Sequence, residues 1–397
     1  MRADDIVLEE LMRLSKSVFV NREVLRPDYV PEKLPHREEQ IRRLTQILAP
    51  LVRGERPSNV FIYGLTGTGK TAVTRYVLMK IKEYVKGRGP GFAYVYVNCR
   101  HDDTTYRVLA RIADALGERV PFTGLSTAEV FSRVKSAIDR FGGVVVVVLD
   151  EIDFLVKKHG DELLYRLTRI NGELRQGKVT LIGITNDISF VERLDARVMS
   201  SLGEVELVFP PYTAEQLTDI LRERAEKAFR PGTLAPGVIE YCAAVAAKEH
   251  GDARRALDLL RVAGEIAERE GAEKVTVDHV RRARQEIELD TVSEVIKTLP
   301  YHGKLVLAAL LVLGGKAQST GDLYIAYRQI CRALGTEPVT QRRVSDLVGE
   351  LDMLGVVTAR VISKGRYGKT RVIALTVSPE TVKKVLSVEE GLKEVLT

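Results

Sequence analysis

The stretch SNVFIYGLTGTGKTAVTRYVLMKIKEY, Ser58 to Tyr84, reads as a short strand, a glycine-rich loop and a helix in immediate succession. Asn59 to Tyr63 is apolar and β-rich, and Gly64 to Thr71 matches the pattern G-x-x-x-x-G-K-[ST]. Glycines at 64, 67 and 69 allow a tight backbone curve whose N–H groups turn inward toward an anion, and the positive end of the following helix adds to that field. The loop is therefore expected to cradle phosphates through Gly67, Thr68, Gly69, Lys70, Thr71 and Ala72. Lys70 should reach the β and γ phosphates of ATP, and the Thr71 hydroxyl should face Mg²⁺.

The second half of such a site is expected where Gly142-Gly143 releases Val144 to Val148, a run apolar on both faces as a buried parallel strand is, ending in Leu149-Asp150-Glu151-Ile152-Asp153. That edge places Asp150 near the metal and Glu151 where it can deprotonate an attacking water. A further strand, Val179 to Thr185, delivers Asn186 to the same edge, where an amide can bond the γ-phosphate or the water. With Phe92 to Cys99 and Glu204 to Phe209, the count is five strands separated by helices, Thr104 to Gly117 and Thr127 to Arg140 among them. The arrangement is doubly wound α/β with a parallel sheet.

Upstream, Leu8 to Val20 has helical apolar spacing. The three prolines between Leu25 and Arg37 hold an extended segment that can wrap an adenine through Val30, Pro31 and Leu34 before a helix opens near Arg37. Beyond Pro210-Pro211 the pattern is helical: Ala214 to Phe229, Pro236 to Glu249, Ala253 to Glu270 with Asp252 as N-cap, and Val277 to Ile287. From Tyr301 it changes again, to three helices (Lys304 to Leu313, Gly321 to Leu334, Thr340 to Leu354) and two β segments, Val356 to Ile362 and Thr370 to Thr376. This is the plan of a winged helix, whose third helix enters the major groove while the hairpin straps the DNA. Gln341, Arg342, Arg343 and Ser345 open the third helix, and Lys364, Arg366, Tyr367 and Lys369 lie at the hairpin turn.

Charge agrees with that division. The 397 residues carry a net charge of +6, and Pro300 to Thr397 holds 14 Lys and Arg against 9 Asp and Glu, so most of the excess lies in the last quarter and points to a polyanion. Three scattered cysteines outside any C-x-x-C spacing argue against a disulfide framework or a zinc site. The chain reads as a cytoplasmic, nucleoid-associated protein with no membrane partner.

Taken in order, YVPEKLPHREEQIRRL (Tyr29 to Leu44), YGLTGTGKT (Tyr63 to Thr71), VLDEID (Val148 to Asp153), LDARVMSSL (Leu194 to Leu202) and GDARRALDLLR (Gly251 to Arg261) resemble the archaeal initiators related to the origin recognition complex and the cell-division-cycle loaders, within the AAA+ ATPases. The resemblance covers nearly the whole chain. It implies an AAA+ P-loop ATPase core over 1–210, an α-helical lid over 211–292 and a C-terminal winged-helix domain over 293–397. It also implies sensor 1 at Asn186, an arginine finger at Arg197, the sensor 2 arginine at Arg254 and lid-side nucleotide contacts at Tyr212 and Arg224. The loop Pro121 to Ser126, with Phe122, Thr123, Gly124 and Leu125, falls where these initiators carry a helical insertion used on DNA.

The implied function is ATP-dependent replication initiation. Double-stranded origin DNA would be bound, weak hydrolysis of ATP to ADP would act as a switch, and further initiator copies and the replicative helicase would be partners. A hexameric branch-migration motor and a winged-helix transcriptional regulator use the same parts and stand as alternatives.

Overall fold

The computed structural model describes residues 17–27, 29, 31–87, 91–121, 123–187, 190, 194–202, 205–363, 369–389 and 391–395. They form two compact units, Met1–Val280 and Arg281–Thr397. The first is built on parallel strands β1 (Val60–Tyr63), β2 (Phe92–Asn98), β3 (Val144–Asp150), β4 (Lys178–Thr185) and β5 (Val205–Val208), in the order β2-β3-β4-β1-β5. Asn98 pairs with Asp150, Asp150 with Ile184 and Tyr63 with Thr185, so the carboxyl ends of four strands share one edge.

Alternation along β3 explains its composition. Val145, Val147 and Leu149 join one apolar cluster while Val144, Val146 and Val148 join the cluster on the opposite face. All seven residues of the strand are buried, each apolar one worth roughly 1.5–3 kcal/mol relative to exposure. The helix Lys70–Val85 covers the second cluster and the helices Thr105–Ala115 and Thr127–Phe141 the first. Two helices unforeseen in sequence, Ile152–His159 and Glu162–Arg169, connect β3 to β4, and Ala196–Leu202 precedes β5.

The rest of the first unit is helical: Ala214–Ala228, opened by a Thr213/Gln216 capping box, Val238–Lys248, and Ala253–Arg269, capped by Asp252. Two expectations need correction here. Residues 17–20, the described end of the expected helix Leu8–Val20, are not helical: Phe19 forms an antiparallel bridge with Phe229, their rings 4.6 Å apart. Gly264 opens the slot for that ring, since a Cβ there would lie 2.3 Å from Phe19 Cζ. The helix expected over Val277 to Ile287 runs on to Thr298, because no Gly or Pro interrupts it before Pro300.

In the second unit the helices Tyr301–Val312, Thr320–Ala333 and Gln341–Met353 pack around Leu305, Tyr327, Val344 and Leu351. Strands β7 (Val357–Ser363) and β8 (Lys369–Leu375) pair antiparallel, with Ser363 opposite Lys369. A two-residue strand, β6 (Lys316–Ala317), adds to β8, and the helices Pro379–Leu386 and Leu392–Val395 follow. None of these last three elements was expected.

Candidate nucleotide and nucleic-acid sites

The loop between β1 and the helix Lys70–Val85 holds its shape with left-handed residues at Gly67 (φ 70°) and Gly69 (φ 89°). The Lys70 ammonium folds back and donates to the Gly64 and Leu65 carbonyls at 2.8 and 2.7 Å. Burial pulls its pKa down to about 8, against the opposing field of Asp150; Arg254 pushes it further down, and Asp252 and Glu151 push it up.

At the sheet edge the Thr71 hydroxyl donates to Asp150 Oδ2 at 2.6 Å, and the Glu151 N–H donates to Asp150 Oδ1 at 2.9 Å. Glu151 sits at φ 54°, ψ 43°, a left-handed conformation that costs a non-glycine residue on the order of 1 kcal/mol and turns its side chain out of the strand. It lines one cavity with Gly67, Thr68, Gly69, Lys70, Thr71, Ala72, Asp150, Asn186, Tyr212, Arg224 and Arg254. Pro31, Leu34, Ile220 and Leu257 give that cavity an apolar wall.

The donor set fits a magnesium nucleotide. A Cβ on Gly67 would strike the Asp252 carboxylate and one on Gly69 would come within 3.0 Å of the Tyr212 hydroxyl, and both positions have the positive φ that favours glycine. Thr71 and Asp150 offer hard oxygens side by side. Among the described residues no group of three or more His, Cys, Asp or Glu could hold a metal alone.

On the second unit Gln341, Arg342 and Arg343 are exposed at the start of the helix Gln341–Met353, which Thr340 caps. The Arg343 guanidinium pairs with Glu350 at 3.1 Å, and Ser345, half-buried, offers its carbonyl to Arg371 at 3.5 Å. Lys369 opens β8, and Lys364, Arg366 and Tyr367 lie outside the described residues.

Three family models match in succession: an AAA domain over residues 53–190, the Cdc6 AAA+ ATPase-type lid domain over 218–285 and the CDC6 C-terminal winged helix domain over 294–385. The ORC1-type DNA replication protein 1 of Sulfurisphaera tokodaii is 57% identical over 390 residues, 97% of each chain. The chain belongs to the ORC1-type DNA replication proteins.

The ORC1-type protein of Pyrococcus abyssi is 53% identical over 400 residues, 99% of this chain and 95% of its own. A solved structure of the Aeropyrum pernix ORC1 protein in complex with DNA superposes with a TM-score of 0.86 at 56% identity, spanning 96% of this chain and all of that one. The AAA+ core, lid and winged helix expected from sequence are thus those of the family.

Against that family background, the expected site residues divide. Those of the phosphate loop, with Asp150, Glu151, Asn186, Pro31, Tyr212, Arg224 and Arg254, converge on the cavity. Arg197 does not line it: it is exposed and bound to Asp195 through Nε and Nη2 at 3.1 and 2.9 Å. Val30 and Phe122 lie outside the described residues. The segment read as a loop over Pro121 to Ser126 has residues 123–125 as bends, followed by the Ser126 cap of the next helix. Thr123 and Gly124 are exposed there, whereas Leu125 packs against the sheet's apolar cluster, where its methyls gain more than they would in water.

Two residues of the cavity region went unnoticed in sequence. Arg37 is only 2% exposed; it donates to the carbonyls of Thr68 (2.8 Å), His36 (2.9 Å) and Pro210 (2.7 Å) and lies 3.7 Å from the Tyr212 ring centre. It joins the phosphate loop to the entrance of the lid. Tyr96 donates a short hydrogen bond to Asp150 Oδ2 and carries the Arg75 guanidinium 3.9 Å above its ring. Burial, with the adjacent Asp150 carboxylate, drives the phenol pKa upward, so it remains a donor to that carboxylate.

Proposed function

We propose that the chain initiates replication by gripping double-stranded origin DNA with its winged helix, and that ATP bound between sheet and lid is hydrolysed slowly, as a switch on that grip. The observation that carries this reading is the convergence of Lys70, Thr71, Asp150, Glu151, Asn186 and Arg254, from loop, sheet edge and lid, on one cavity.

In this reading Pro31, Tyr212 and the apolar wall take the adenine, and Val30 would be a further adenine contact. Arg224, buried against Tyr29 at 4.6 Å from its ring and donating to the Val24 carbonyl, fixes the N-terminal segment on the lid. The Lys70 ammonium leaves its two carbonyls to bind β and γ phosphate oxygens, gaining charge-assisted bonds. Glu151 accepts the proton of the attacking water, the Asn186 amide orients that water, and Arg254 donates to the γ-phosphate from the lid. Thr71 and Asp150 would hold Mg²⁺, which would supply charge neutralisation at the phosphates.

Arg197, exposed and outside the lining of its own cavity, is suited to act on the nucleotide of a neighbouring initiator copy. We take residues 1–210, 211–292 and 293–397 as core, lid and winged helix. Gln341, Arg342, Arg343 and Ser345 would face bases and phosphates of the major groove. Lys364, Arg366, Tyr367 and Lys369 would strap the duplex, and the loop of Phe122, Thr123, Gly124 and Leu125 would add a contact from the core. The replicative helicase is the downstream partner.

Fluorescence anisotropy with origin duplex and with scrambled duplex, each with ATP and with ADP, tests the reading. Tighter binding to origin that depends on the nucleotide supports it. Equal binding to both duplexes with fast steady-state turnover would favour a motor instead.

A further inference from the structure

The carboxylate Asp153, three residues past the magnesium-side Asp150, is 4% exposed and has no place in the chemistry above. It lies in the first turn of the helix Ile152–His159, whose N-cap is Glu151, so the helix end favours its negative charge. The Thr185 hydroxyl donates to its Oδ1 at 3.0 Å, and the Lys157 ammonium, one turn along the same helix, donates to its Oδ2 at 3.2 Å. Lys157 also pairs with Asp187 at 3.1 Å, and the Asp187 N–H donates to the Thr185 hydroxyl at 3.1 Å. Burial works against the Lys157 ammonium, but its bonds to Asp187 and Asp153 raise its pKa above the ordinary value, so the bridge stays charged.

Residues 185 and 187 are thus both tied to one short helix, and the residue between them is Asn186. We infer that Asp153 and Lys157 are positioning residues that hold the Asn186 amide in register with Glu151, by fastening the chain on either side of Asn186 to the helix that begins at Glu151. With the Lys157 ammonium half-exposed, these ion pairs are weak evidence for stability. What such a pair supplies is direction: two carboxylates about one ammonium fix where the end of β4 can sit. The cost of losing that register is set by catalytic geometry, where a shift of about 1 Å can slow a reaction on the order of a hundredfold.

The inference rests on the reading of Asn186 as a hydrolytic group, and the experiment separates the two. Single-turnover ATP hydrolysis, equilibrium ATP affinity and thermal melting are measured on the full chain for Asn186→Ala, Asp153→Asn, Lys157→Met, Lys157→Arg and the double variant Asp153→Asn/Asn186→Ala. Hydrolysis should fall on the order of tenfold or more in Asn186→Ala, Asp153→Asn and Lys157→Met with ATP affinity kept. It should recover in Lys157→Arg, and the double variant should be no slower than Asn186→Ala alone. A double variant slowed by the product of the two single effects, or single variants that lose affinity as much as rate, would overturn the inference while leaving Asn186 in its role. Asn186→Ala with undiminished hydrolysis would overturn both. Should Asp153→Asn melt early, the half-exposed Lys157 substitutions decide the matter, since they empty no core position.

Discussion

The nucleotide cavity and the leading face of the winged helix are both cationic, yet they use charge in opposite ways. In the cavity Lys70 is buried, donates to two backbone carbonyls and sits in the fields of Asp150 and Arg254, so fixed local geometry sets its pKa. At the start of the helix Gln341–Met353, Arg342 and Arg343 stand in solvent, and the pairing of Arg343 with Glu350 is an exposed one worth at most about 1 kcal/mol. Buried charge therefore selects one ligand at fixed geometry, whereas exposed charge adds phosphate by phosphate and is screened by salt.

The contrast breaks first at Glu151. Glu151→Gln should slow hydrolysis on the order of a hundredfold to ten-thousandfold while ATP affinity stays unchanged, read by single-turnover assay and calorimetry. Comparable loss of affinity would remove Glu151 from its role. Next, Lys70→Ala should weaken ATP at least about a hundredfold, roughly 3 kcal/mol, and leave the melting temperature of the free protein nearly unchanged. On the exposed side, Arg342→Ala with Arg343→Ala should weaken duplex binding on the order of tenfold and shallow the logarithmic salt slope by about 0.9 for each phosphate left unneutralised. ATP affinity should not respond. An unchanged salt slope would mean that these arginines touch no phosphate.

The smallest effect sharpens the same comparison through pH. Because Lys70 in the free protein deprotonates near pH 8 and phosphate binds only its charged form, ATP affinity should be flat below that pH. Above it, affinity should fall by up to about tenfold per unit. Lys70→Arg should remove the fall, since arginine stays charged throughout. Duplex binding through the exposed arginines should show no such break.

What was legible in sequence follows the same line. The phosphate loop and the strand ending in Asp150-Glu151 were readable because local spacing alone fixes them: glycines where φ must be positive, and valines where both faces are buried. Arg37 was not, because a lone arginine reads as surface. Its burial depends on Pro210, 173 residues away, and on the Tyr212 ring. The Asp153–Lys157–Asp187 bridge was equally silent, since β4 meets that helix only in three dimensions. Periodicity gave a helix through Val20 where tertiary pairing of Phe19 with Phe229 prevails. It also missed β6, whose two residues carry no pattern and exist only by pairing with β8.

The account's central claim is that the nucleotide held in the first unit governs how the cationic second unit holds DNA. Nuclease protection of the organism's own replication origin, with the Glu151→Gln variant in ATP beside the unaltered protein in ADP, tests it most directly. The account predicts protection of a repeated origin element whose strength or extent differs between the two states. Identical footprints in both, or protection confined to promoters, would contradict it.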